Sequence, residues 1–157
     1  MNAGSTTRRR QRPWHLWIVA LAVLALYIGG ARDYLLILVQ DTGYIRDQFG
    51  PGGVVYFTDY PPVPRIFWTI NIVGGLIAPV LLLLRHRWTT LAAIVAAAGQ
   101  IALLTITFAF FDRWAKLGAS ASLFDIGVGI ATVLFACYCW WVSRRGLTAT
   151  AEATRTG

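Results

Sequence analysis

Charge is what this chain most lacks. Of its 157 residues 13% are charged and 57% are hydrophobic, at a mean hydropathy of +0.58. A soluble domain carries about twice that charge. Cysteine and histidine are nearly absent, two of each. Cys137 and Cys139 form C-x-C, which is not the C-x-x-C of a thiol oxidoreductase, and there is no second pair. Near the cytoplasmic end of an apolar run they read as small buried thiols on a reducing side. His15 and His86 fall on one rim, away from every carboxylate. No metal-ligand spacing, nucleophile elbow or phosphate-binding glycine loop occurs. The residues therefore predict no catalytic centre, no metal and no cofactor. No internal repeat is visible, which counts against an inverted-repeat carrier.

What the chain has is long apolar runs. Four are long enough to cross about 30 Å of hydrocarbon as helices. They lie at about 14–34, 66–84, 89–111 and 123–142. The predicted fold is an all-α membrane protein, four helices in an antiparallel bundle (14–142). A basic cytoplasmic tail (1–13) precedes it and an unstructured cytoplasmic tail (143–157) follows. The first span is longer than the apolar core of a cleaved signal peptide and reads as a retained signal-anchor. Residues 32–65 form an external segment between the first two spans. Within it, 35–49 either extends the first span or lies at the interface as a helix that "GPGG" (50–53) breaks.

The net charge of +7 reads as topology, not as a nucleic-acid footprint. One side holds nine arginines: Arg8, Arg9, Arg10, Arg12, Arg85, Arg87, Arg144, Arg145 and Arg155. Glu152 alone opposes them. On the other side Arg32, Arg46, Arg65, Arg113 and Lys116 are matched by Asp33, Asp41, Asp47, Asp59 and Asp112. The positive-inside rule puts both termini in the cytoplasm of a bacterial inner membrane. Trp14, Trp17, Trp88, Trp140 and Trp141 mark the inner boundary, with Tyr34, Trp68 and Trp114 near the outer one. His86, between two arginines, suits anionic lipid headgroups.

Polar residues inside spans are expensive and mark candidate sites. Asp33, Asn71, Thr105, Thr107 and Asp125 map to the outer half, and Gln100 to the middle. Asp33, Asn71, Gln100, Thr105 and Asp125 are the candidate lining of an outward-facing polar cavity. Each also has a structural reading. Arg32–Asp33 reads as a surface pair, and Asn71 and Gln100 as interhelical glue. The threonines can bond their own helix. "SLFD" (122–125) reads as a capping box at a helix start. Pro79 should kink the second span. Ala92, Ala96 and Gly99 in the third span and Gly127 and Ala131 in the fourth allow close helix approach.

Several of these residues follow one pattern: Asp33-Tyr34, Tyr44-Ile45, Phe49, Tyr56-Phe57, Tyr60-Pro61, Phe67-Trp68, Gly74-Gly75 and "LLLLRHRW" (81–88). Over residues 14–110 the chain resembles small four-helix bacterial inner-membrane proteins often labelled "sugar transporter". It departs from them at "GPGGVV" (50–55), where relatives have an acidic helix-forming stretch. The resemblance implies four spans in an inner membrane. The expected role is a structural or accessory bundle, acting as a homodimer or within a larger membrane complex. The alternative is an outward-facing carrier or binding protein for a small polar solute or lipid headgroup. The lipid bilayer is the expected partner and nucleic acid is not.

Overall fold

The computed structural model describes the backbone of residues 14–155 and the side chains of 14–145; the 1–13 tail lies outside the described residues. Five helices follow one another: α1 (Trp14–Leu38), α2 (Thr42–Phe57), α3 (Pro62–Leu83), α4 (Thr89–Phe110) and α5 (Arg113–Arg155). All but α2 are long and apolar enough to cross a membrane. The 143–157 stretch departs from the unstructured tail that its composition suggests: the backbone stays helical through Arg155. Its alanines are good helix formers and continue a helix already nucleated upstream.

The segment 35–49 does both things that its sequence allows. The first helix continues to Leu38, and a separate helix starts at Thr42, capped by Asp41, whose side chain accepts from the Tyr44 N–H at 3.0 Å. "GPGG" interrupts α2 at Gly50 (φ 72°), but the helix resumes and runs to Phe57. Gln40, Asp59, Arg85 and Asp112 occupy left-handed backbone where α1 to α4 end. At Arg85 the geometry is a Schellman turn: Arg85 N–H donates to Leu82 O (3.1 Å) and His86 N–H to Leu81 O (2.9 Å). Helix α3 passes through Pro79 without a non-helical residue.

Two apolar clusters hold the helices. One lies toward the α3–α4 turn and unites Leu16 and Ala20 of α1, Leu82 of α3, Ala93 of α4, and Phe135 and Cys139 of α5. The other lies at the opposite end, where Ile37, Ile45, Phe57, Tyr60 and Leu117 pack together. Phe57 and Tyr60 stand 5.4 Å apart, centroid to centroid, with Trp68 beside both. Cys139 is buried in the first cluster, whereas Cys137 is exposed, against the expectation that both are buried. Two residues along a helix turn the side chain by about 200°, so a C-x-C pair cannot share one face. Large apolar residues also lie exposed along every long helix, among them Leu21, Ile28, Ile77, Ile94 and Leu134.

Close approach depends on small residues. A Cβ on Gly74 would sit 3.1 Å from the Ala96 Cβ, and one on Gly99 3.1 Å from the Asn71 N. Gly75 is more confined: an added Cβ would overlap the Tyr27 ring. That ring is fully buried and held at its hydroxyl, so it cannot swing aside cheaply. Gly75→Ala should lower stability by about 1–3 kcal/mol through overpacking. Gly127→Ala, where an added Cβ meets nothing within 4 Å, should be neutral or stabilising by about 0.5–1 kcal/mol. Thermal unfolding of the purified variants checks both signs.

Candidate functional site

Between the two apolar clusters lies a cavity of about 290 Å³, to which all five helices contribute. Its floor is a chain of hydrogen bonds. The Asn71 amide donates to Ala96 O (3.0 Å) and to the Tyr27 hydroxyl (3.0 Å). Tyr27 and Thr132 hydroxyls are 2.8 Å apart, and Thr132 gives its own proton to Val128 O (2.8 Å). Each hydroxyl has one proton, so Tyr27 is the donor to Thr132. This run of bonds joins α3, α4, α1 and α5 in a region apart from solvent.

One wall is the ion pair of the Arg113 guanidinium with the Asp125 carboxylate, made through Nε and Oδ2. The Arg113 side chain is 9% exposed and that of Asp125 24%. Residues twelve apart in a straight helix would be about 18 Å apart along the axis. They meet because α5 breaks at Gly118, where φ 79° and ψ 175° suit glycine alone. The 113–117 turn is thereby laid across the cavity, and Leu117 joins the second apolar cluster. The Arg113 guanidinium also lies 5.6 Å from the centre of the Tyr56 ring.

These contacts correct the capping reading of "SLFD". The helix is already under way at Ser122, so no free N–H groups await a cap there. Asp125 is an ion-pair partner inside the helix, and the Ser122 hydroxyl is buried without a hydrogen bond. The span expected at 123–142 accordingly starts earlier, at Arg113.

Four of the five sequence candidates, Asp33, Asn71, Gln100 and Asp125, line this one cavity. Thr105 does not. It is exposed and bonds its own helix at Ile101 O (2.8 Å), while Thr107, two residues on and turned inward, takes its place. Gln100 is buried and reaches Asp125 O only at 3.5 Å. Asp33 does not pair with Arg32. It accepts from the Tyr44 hydroxyl at 2.5 Å, and Arg32 instead lies 5.4 Å from the centre of the Tyr44 ring. Neighbours on a helix point about 100° apart, so the two charges reach one tyrosine from different sides. Sequence reasoning missed Arg113, Tyr27, Tyr60 and Gln48 in the lining. Arg113 carried a readable signal, a lone arginine twelve residues before an intramembrane aspartate with a glycine between them.

Exposed Gln48, Ser120 and Phe124 also line the cavity, which therefore reaches the surface. Burial, and then the hydrogen bond to and charge of Asp33, push the Tyr44 phenol up to about 12 from its ordinary 10. No family model, curated protein or solved structure matches this chain.

Removing one partner of a buried pair strands the other charge. Asp125→Ala should cost about 3–5 kcal/mol, and the double variant Arg113→Met/Asp125→Leu should recover most of that. Unfolding of the three proteins in the same detergent is the check. The Tyr44 phenol adds a pH effect. Unfolded tyrosine ionises near 10, before the folded group does, so stability should fall as pH rises from about 10 to about 12. Tyr44→Phe should show a shallower fall over that interval.

Proposed function

We propose that this chain is a multi-pass bacterial inner-membrane protein. In this reading its four long helices form an antiparallel bundle with both termini cytoplasmic. It binds or carries a small polar solute or lipid headgroup in the outward-facing cavity. The observation that carries the function is the buried Arg113–Asp125 pair in the wall of a cavity that also gathers Asp33, Asn71 and Gln100. Desolvating two charges costs several kcal/mol per ion before their attraction returns it. An apolar pair would pack a purely structural bundle at least as well. The same groups facing a space that reaches the surface suit recognition of a polar ligand. At about 290 Å³ the space stands at the small end of ligand sites and holds about ten waters' worth of volume.

The membrane placement rests on the four apolar helices, the exposed apolar residues along them and the sidedness of arginine. Arg87, Arg144 and Arg145 stack on Trp88, Trp140 and Trp141 at the arginine-rich end, as an interfacial belt would. The likeness to small four-helix proteins labelled "sugar transporter" belongs to the same proposal, as a statement of architecture. A homodimer, or a place in a larger complex, would supply the lateral partners that so small a carrier needs.

The test is to fill the cavity. Ser120→Trp should leave unfolding of the purified chain within a few degrees of wild type. It should also abolish the ligand-induced stabilisation that wild type shows in a panel of amines, sugars and amino acids. Stabilisation that survives in Ser120→Trp places binding elsewhere. Reporter fusions at residue 157 and within 50–53 should give cytoplasmic and external signals respectively, and an external C-terminus refutes the topology.

A further inference from the structure

The charged groups that line the cavity are Asp33, Asp125 and Arg113. Two carboxylates against one guanidinium leave the lining one negative charge in excess. The guanidinium's charge is matched: its Nε is bonded to Asp125, and its Cζ lies over the Tyr56 ring. An anion entering the space would meet one cation already paired with a carboxylate and a net negative lining. Hydrogen bonds reach only Oδ2 of Asp125 and only Oδ1 of Asp33. Each carboxylate thus keeps one oxygen for a donor. The Tyr60 hydroxyl, buried beside that of Tyr56 on a residue 5% exposed, is a third oxygen with a lone pair to spare.

Beside the amides and hydroxyls of Gln48, Asn71, Gln100, Thr107 and Ser120, the lining is aromatic and aliphatic. Phe49, Tyr60, Trp68 and Phe124 border the space. The Tyr60 and Trp68 rings are 6.3 Å apart at 75° to each other, so they form two walls of a corner. Ring faces with a nearby excess of negative charge attract ammonium groups. A neutral polyol would match the amides and hydroxyls but leave the excess charge uncompensated in surroundings of low dielectric.

On the premise that the cavity binds a ligand, we propose that this ligand is a monovalent organic cation. Its ammonium group sits between Asp33 and Asp125 and against the Tyr60–Trp68 corner. A free ammonium compound and an ethanolamine or choline lipid headgroup share this chemistry.

The experiment uses the purified full chain in a maltoside detergent at fixed ionic strength, read by titration calorimetry. Ethanolammonium, choline, acetate and glycerol are titrated separately. Phosphatidylethanolamine is titrated in mixed micelles, with phosphatidylglycerol beside it. Saturable binding of ethanolammonium or choline supports a free ammonium compound. Binding of phosphatidylethanolamine in preference to phosphatidylglycerol, without binding of the free ions, supports a headgroup. In either case Asp33→Asn should weaken affinity at least about tenfold, about 1.4 kcal/mol. Its fold should survive, because the asparagine oxygen still accepts from Tyr44. Thr105→Val, outside the cavity, should bind as wild type does. Affinity unchanged in Asp33→Asn overturns the proposal. So does binding of acetate or glycerol at a site lost in Ser120→Trp while no ammonium compound binds, although a ligand site then still exists. If no titrant of any class binds, the cavity's binding role falls with it.

Discussion

Three helices meet at the Tyr27 hydroxyl, and Asn71 ties in a fourth. It accepts from Asn71 of α3 and donates to Thr132 of α5, and Asn71 in turn donates to the backbone of α4. In a hydrocarbon setting no water is at hand to satisfy these groups, so they must satisfy one another. Interhelical bonds of this kind contribute about 0.6–2 kcal/mol each, and here they are concerted: one hydroxyl fixes the relative height of three helices. The arrangement also demands Gly75, because the Tyr27 ring fills the volume that a side chain there would take. Below the network the core is apolar and built on small residues; above it the cavity opens.

The same constraint shapes the upper half. Arg113 and Asp125 are brought together by the Gly118 break, which lays the first turn of α5 over the space that Tyr27, Asn71 and Gln100 floor. A similar break at Gly50 bends α2 over the same end, and Gly52 lies so close to the Lys116 carbonyl that a Cβ there would stand 2.6 Å from it. Two glycine-bent segments thus cover a polar chamber that straight helices would leave as an open funnel. Among the described residues buried charge is confined to this half, while the arginine–tryptophan stacks at the other end surround a largely apolar core.

Run length and hydropathy made the four long helices legible, because 18 or more apolar residues have few other uses. Depth counting along each run also put Asp33, Asn71 and Asp125 in the outer half and Gln100 at the middle. Depth says nothing about direction around a helix, and that is where Thr105 and Thr107 were confused: they differ by about 200°. Asp125 was misread for a different reason. A serine three residues before an acidic residue has the spacing of a cap. The cap reading fails because the helix begins upstream, beyond a glycine whose positive φ no periodicity reveals. Tyr27 looked like one more aromatic in an apolar run, and nothing local to it showed Gly75 or Thr132 as its neighbours.

The claim on which the functional account rests is that the chamber lies in the outer half and reaches external water. Labelling of Ser120→Cys measures this directly, in full-length protein whose Cys137 and Cys139 are replaced by alanine. A membrane-impermeant maleimide is added to intact spheroplasts. The account predicts prompt modification from outside, and much slower modification of Thr90→Cys, which lies near the α3–α4 turn. Modification of Ser120→Cys only after the membrane is permeabilised would contradict it.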